Sequence, residues 1–357
     1  MRSTSGPRRG LGGIFALLFV LLPALSAGAG IEGPARPGEI ERLAAAVRAR
    51  DALESGADLM WIGLFGGTSP AEPDLTQRLP LARLAAPLAI LVLSGLTWTT
   101  LLLARGRFVA ALACVALAAL PPVRCDGHVL RPELAVSVFG ALGLLLLVGL
   151  PQRLRAARRE TPGRAWTVNL LLGLAVGTAI GLAVAAGPTY GVLLFVAPLV
   201  AGIGALRDGR AFLRVVRRFR GLVLPFRAVT LRTLPYVWPA FASFCAALLF
   251  LSGSRSIPAT MGDQPLLPDS FLAGFPLLLL AVIGAARMAT RVAVDIARRR
   301  RVEGRTVVAI STAVLIGHRL VRGTAVDALP AAAGLSVLCA EGGFVLVRAL
   351  TARLAKG

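Results

Sequence analysis

Lysine is almost missing from this chain: the basic residues number 39, and Lys356 is the single lysine among them. No G-x-x-x-x-G-K-[ST] phosphate loop can therefore be built, and neither H-E-x-x-H nor G-x-S-x-G occurs. The 2 histidines, His128 and His318, fall on separate segments and cannot supply paired ligands for more than one haem. Cysteine is scarce too. Of the 4, Cys114, Cys245 and Cys339 lie inside apolar runs as small hydrophobes, and only Cys125 lies in a loop, so no disulfide framework follows. Cys125 and His128 form a C-x-x-H, but two ligands do not close a zinc site, and turn chemistry at Asp126-Gly127 accounts for the stretch. These absences predict no catalytic residue, no metal and no cofactor.

Charge is the other shortage. With 56% hydrophobic and 16% charged residues, a soluble chain of 357 residues would lack the polar surface to cover itself. A bilayer removes that demand, and apolar runs of spanning length recur along the chain. The net charge of +21 would suggest nucleic acid if the arginines formed a soluble domain or a stripe with interleaved aromatics. They form neither, so nucleic acid is excluded as a partner. The arginine bias reads as a GC-rich bacterial genome rather than as many separate demands for a guanidinium fork. The fold class predicted is all-α, a polytopic transmembrane helical bundle.

Residues 1–29 have a basic start, an apolar core and Ala27-Gly28-Ala29, and read as a signal peptide or, alternatively, as a first membrane anchor. Residues 30–79 are the only polar segment of any size, with eight of the 18 acidic residues. In this extracytoplasmic segment Ile40, Leu43 and Val47 have helical spacing, which predicts a helix packed on the membrane domain. From residue 80 to 351, nine apolar spans follow, near 80–104, 107–121, 133–150, 166–186, 188–206, 234–251, 271–289, 306–321 and 328–347, with a cytoplasmic tail at 352–357. A retained first helix makes ten. The short second span ends at Pro121-Pro122 and could cross only in part.

With residue 30 outside, the loops assigned to the cytoplasm hold 25 basic residues and the external loops between spans hold five at most. This is the positive-inside pattern, and it places the chain in a bacterial inner membrane with its C-terminus in the cytoplasm. Arg298 to Arg301 then sit at the cytoplasmic end of a span, against anionic headgroups. Between 207 and 221, Phe212, Val215, Val216 and Phe219 face one way and Arg210, Arg214, Arg217 and Arg218 the other. That is a basic amphipathic helix for the inner membrane surface, able to hold lipid or a protein partner.

Two intramembrane features stand out. Asn169, Gly173, Gly177 and Gly181 recur every four residues, a small-residue stripe for helix packing or, alternatively, a pathway wall. Glu341 is the only acidic residue well inside a span, and Arg348, seven residues on, is the partner that its own helix offers. Proton or ion handling and structural pairing both fit it. The functional reading places translocation of a small solute or ion first, with Glu341 and Asn169 as pathway residues, against a non-catalytic scaffold that recruits partners or lipid. The topology has a direct check: in a Cys125→Ser background, cysteine at Glu160 or Glu303 should escape a bilayer-impermeant maleimide in intact cells and react once the membrane is opened. Labelling without opening would reverse the map.

Overall fold

The computed structural model describes residues 8–35, 39–51, 72–130, 133–157, 162–186, 245, 266–268, 270–297, 304–322 and 328–355. The described elements are all α-helices, eleven of them: α1 (Arg8–Gly28), α2 (Glu39–Asp51), α3 (Glu72–Arg83), α4 (Ala85–Ala104), α5 (Arg107–Ala119), α6 (Pro121–Arg124), α7 (Glu133–Ala157), α8 (Pro162–Ala186), α9 (Phe271–Ala297), α10 (Gly304–Arg322) and α11 (Ala328–Leu354). No strand occurs among the described residues. The sequence spans at 188–206 and 234–251 and the basic stretch 207–221 lie outside them.

Local chemistry sets the joints. α4 stops at Arg105, whose N–H donates to the Leu101 carbonyl, and Gly106 follows at φ 104, a region that side-chain-bearing residues avoid. Two residues thus reverse the chain into α5. At its other end Leu120 is extended (φ -75, ψ 139), as a residue before proline tends to be, and Pro121 starts α6 at a position where its missing N–H costs nothing.

α11 and α4 form the centre. α11 packs on α9, α5 and α10, while α4 packs on α7, α1 and α5, and α8 lies on α7. One core gathers Leu101, Val109, Val176, Val308 and Val337, and a second gathers Ile90, Leu93, Leu117, Leu120 and Leu329. Outside them is an apolar surface that water would not tolerate at this extent: Phe15 and Leu18 on α1, Leu171 on α8, and Leu272, Leu279 and Val282 on α9 are exposed.

Three stretches among the described residues, Thr76–Ala104, Leu272–Val294 and Ala328–Leu354, are long and apolar enough to cross a membrane. Five others, including Gly13–Gly28, Arg107–Ala119 and Arg305–Gly317, are apolar but shorter. Of the nine spans read from the sequence, two lie outside the described residues, and three of the described helical stretches have spanning length. α5 falls short of it: its 13 residues rise about 20 Å, against a hydrocarbon core of about 30 Å.

α9 and α11 cross with no side chain between them. A Cβ built on Gly284 would strike the Leu338 carbonyl, and one on Gly342 would strike the Leu280 carbonyl. Backbone cannot yield as a flexible side chain does, so Gly342→Ala should lower the thermal midpoint in mild detergent by the equivalent of about 1–3 kcal/mol. Gly317→Ala, with open space around its Cβ, should be neutral or slightly stabilising. Equal behaviour of the two variants would contradict this account of the crossing.

Candidate functional site

The glycine crossing places Arg287, one turn along α9 from Gly284, beside Glu341, which precedes Gly342 on α11. The α4–α5 reversal delivers Arg105 to the same carboxylate. Arg105 Nε lies 2.6 Å from Glu341 Oε1 and Arg287 Nε lies 3.5 Å from Oε2. Glu341 is 1% exposed and the Arg105 side chain 5%. Arg287 Nη1 also donates to the Glu341 carbonyl at 3.4 Å, and its guanidinium carbon stands 4.5 Å from the centre of the Phe344 ring, a cation–π distance.

The carboxylate is thus gripped by charge from two other helices, yet not by directed hydrogen bonds. At 2.6 Å the Arg105 N–H does not aim at the oxygen: Glu341 Oε1 and Oε2 and Arg105 Nε and Nη1 have no hydrogen-bond partner among the described residues. Arg287, Arg291 and Arg305 are close enough to act on the charge of Arg105, and Arg348 on that of Arg287. Burial first, and those neighbours after it, pull Arg105 down to about 10 while Glu341 pushes it up, so it stays charged at neutral pH.

A second buried carboxylate occupies the far end of α4. Glu39, at the start of α2, accepts from Arg83 Nε at 3.2 Å and from Nη2 at 2.6 Å, and the Leu130 N–H adds a third bond at 3.2 Å. Arg83 also donates to the carbonyls of Ile31, Gly33 and Pro34. Its five N–H donors are all used, which is what a fully buried guanidinium requires. Arg42 Nη1 donates to the Leu130 carbonyl at 2.8 Å, so the polar N-terminal segment is clipped to the apolar body at two places. The apolar side of α2, Leu43 and Val47, is buried against Leu79 and Leu130.

Of the residues singled out by sequence, Glu341 lies at a charged centre, but its ion-pair partners are Arg105 and Arg287 rather than Arg348. Gly173, Gly177 and Gly181 are buried on α8. The side chains of Asn169 and His318, and all of Arg210, Arg214, Arg217 and Arg218, lie outside the description. Cys125 is exposed whereas His128 is buried against Gly30, and no group of three His, Cys, Asp or Glu side chains gathers among the described residues. Sequence reasoning missed Arg105, Arg287, Glu39 and Arg83. Arginines at the ends of apolar runs look alike until the partner helix is placed.

Between α4, α7, α10 and α11 lies a narrow, partly open cleft of about 50 Å³, apolar except for the hydroxyls of Thr97, Thr100, Ser137 and Thr312. The chain matches no family model, no curated protein and no solved structure. Glu39→Ala, which strands a buried guanidinium, should cost about 3–5 kcal/mol of stability, and Arg83→Met added to it should recover part of the loss. Thermal unfolding in mild detergent measures both; a double variant no better than the single would refute the pairing.

Proposed function

We propose that this protein is a non-catalytic membrane subunit, a scaffold of the bacterial inner membrane that holds anionic lipid and protein partners at its arginine-rich cytoplasmic end. We read nine spans after residue 30, preceded by a first helix that is retained. What supports retention is its packing. Ser26 donates to the Ala118 carbonyl, Ser94 donates to the Val20 carbonyl, Phe19 stacks on Trp98, and Ala27, inside the candidate cleavage site, is fully buried.

The observation that carries the scaffold reading is the state of the two buried carboxylates, each held by arginine from another part of the chain. The Glu341 carboxylate lies between two guanidiniums, Arg105 at 2.6 Å and Arg287 at 3.5 Å. A proton carrier has to cycle between charged and neutral forms, and here the neutral form would leave the buried Arg105 and the partly exposed Arg287 without their carboxylate. The arginine excess at one end fits the positive-inside pattern and an acidic partner.

Translocation of a small solute or ion is the second reading, favoured by the narrow cleft in the bundle, whose apolar wall carries four hydroxyl side chains. Ion or proton flux in reconstituted vesicles separates the two. A scaffold predicts flux at the level of protein-free vesicles for the native chain and for Glu341→Gln alike, and at least a tenfold loss of partner co-purification when Arg210, Arg214, Arg217 and Arg218 become glutamine, roughly one decade per 1.4 kcal/mol. Flux that Glu341→Gln alters at unchanged abundance would establish translocation instead.

A further inference from the structure

The cleft and the charged centre are neighbours on three helices at once. On α4 the cleft-wall residue Leu101 precedes Arg105 by one turn, on α11 Val337 precedes Glu341 by one turn, and on α10 Val308 follows Arg305 by about one turn. An apolar slot thus runs directly to a centre in which Arg105 and Arg287 face the Glu341 carboxylate, with the charges of Arg291 and Arg305 felt at Arg105. At contact distance two guanidiniums meet one carboxylate, and Arg105 Nε and Nη1 are buried donors without a hydrogen-bond acceptor among the described residues. A group with several anionic oxygens would use those donors, as guanidinium and phosphate geometries match.

We propose that this centre binds the phosphate of an anionic glycerophospholipid from the cytoplasmic leaflet, with part of an acyl chain in the cleft. Charge selects the headgroup, and the slot selects a lipid over free phosphate. Glu341 then has a second role: it competes with the phosphate for Arg105, and so tunes how tightly the lipid is held. The inference rests on the membrane reading above and is independent of the choice between scaffold and translocation.

The role of Glu341 separates this site from an ordinary structural ion pair. The full chain, purified in neutral detergent, is titrated with phosphatidylglycerol, with phosphatidylcholine of the same acyl chains, and with inorganic phosphate, and bound lipid is counted by native mass spectrometry. We expect at least tenfold tighter binding of phosphatidylglycerol, a tenfold loss in Arg105→Gln, and a several-fold gain in Glu341→Gln, each decade being about 1.4 kcal/mol. Equal binding of the two lipids overturns the proposal. So does a loss in Glu341→Gln as large as that in Arg105→Gln, or inorganic phosphate competing as well as the lipid. Where Arg105→Gln does not fold, Arg287→Gln in the same titration decides, with weaker phosphatidylglycerol binding expected and unchanged binding overturning the site. A chain that leaves the membrane fraction without detergent would defeat the membrane reading itself, an outcome distinct from membrane-held protein that shows no lipid preference.

Discussion

A carboxylate inside an apolar helical body has to be neutralised by something, and much of the architecture at one end of this protein is organised by how that is done for Glu341. The ionised group would be costly alone at such depth. Arg105 and Arg287 reach it only because two backbone features permit close approach: the reversal at Gly106 and the side-chain-free crossing of Gly284 and Gly342. Electrostatics and packing are therefore one constraint. The pair cannot form without the crossing, and the crossing would bury an unopposed charge without the pair.

The other end solves the same problem differently. At Glu39 and Arg83 the donors of the guanidinium are all used by carboxylate and carbonyl oxygens, so that pair is saturated and its role is to fasten the N-terminal segment. At Glu341 the ion pairs are close but undirected, and buried donors of Arg105 have no hydrogen-bond partner among the described residues. This contrast is why the first reads as a clip and the second as a place where an external anion can compete.

The helices were largely legible from composition and period. α7, α8, α9, α10 and α11 each cover an apolar run in the sequence, and the spacing of Leu43 and Val47 anticipated the buried side of α2. The short second span was legible too, since its Pro121-Pro122 end is where α5 stops after 13 residues, while the described residues carry three stretches of spanning length against the nine read from the sequence. The candidate site was half visible. Glu341 stands out in any reading as an acid inside a span, but its own helix offered only Arg348, and nothing local marks Arg105 or Arg287 as its partners.

What the amino-acid order determined alone is the all-helical class, the apolar surface and the isolation of Glu341, since these follow from residue type and near-neighbour periodicity. Which arginines oppose that acid, which glycines let helices touch, and where an apolar cleft meets positive charge were decided only by the tertiary structure. Ion pairing and close packing act across tens to hundreds of residues of chain, and a one-dimensional pattern carries no record of which distant groups end up within 4 Å of one another.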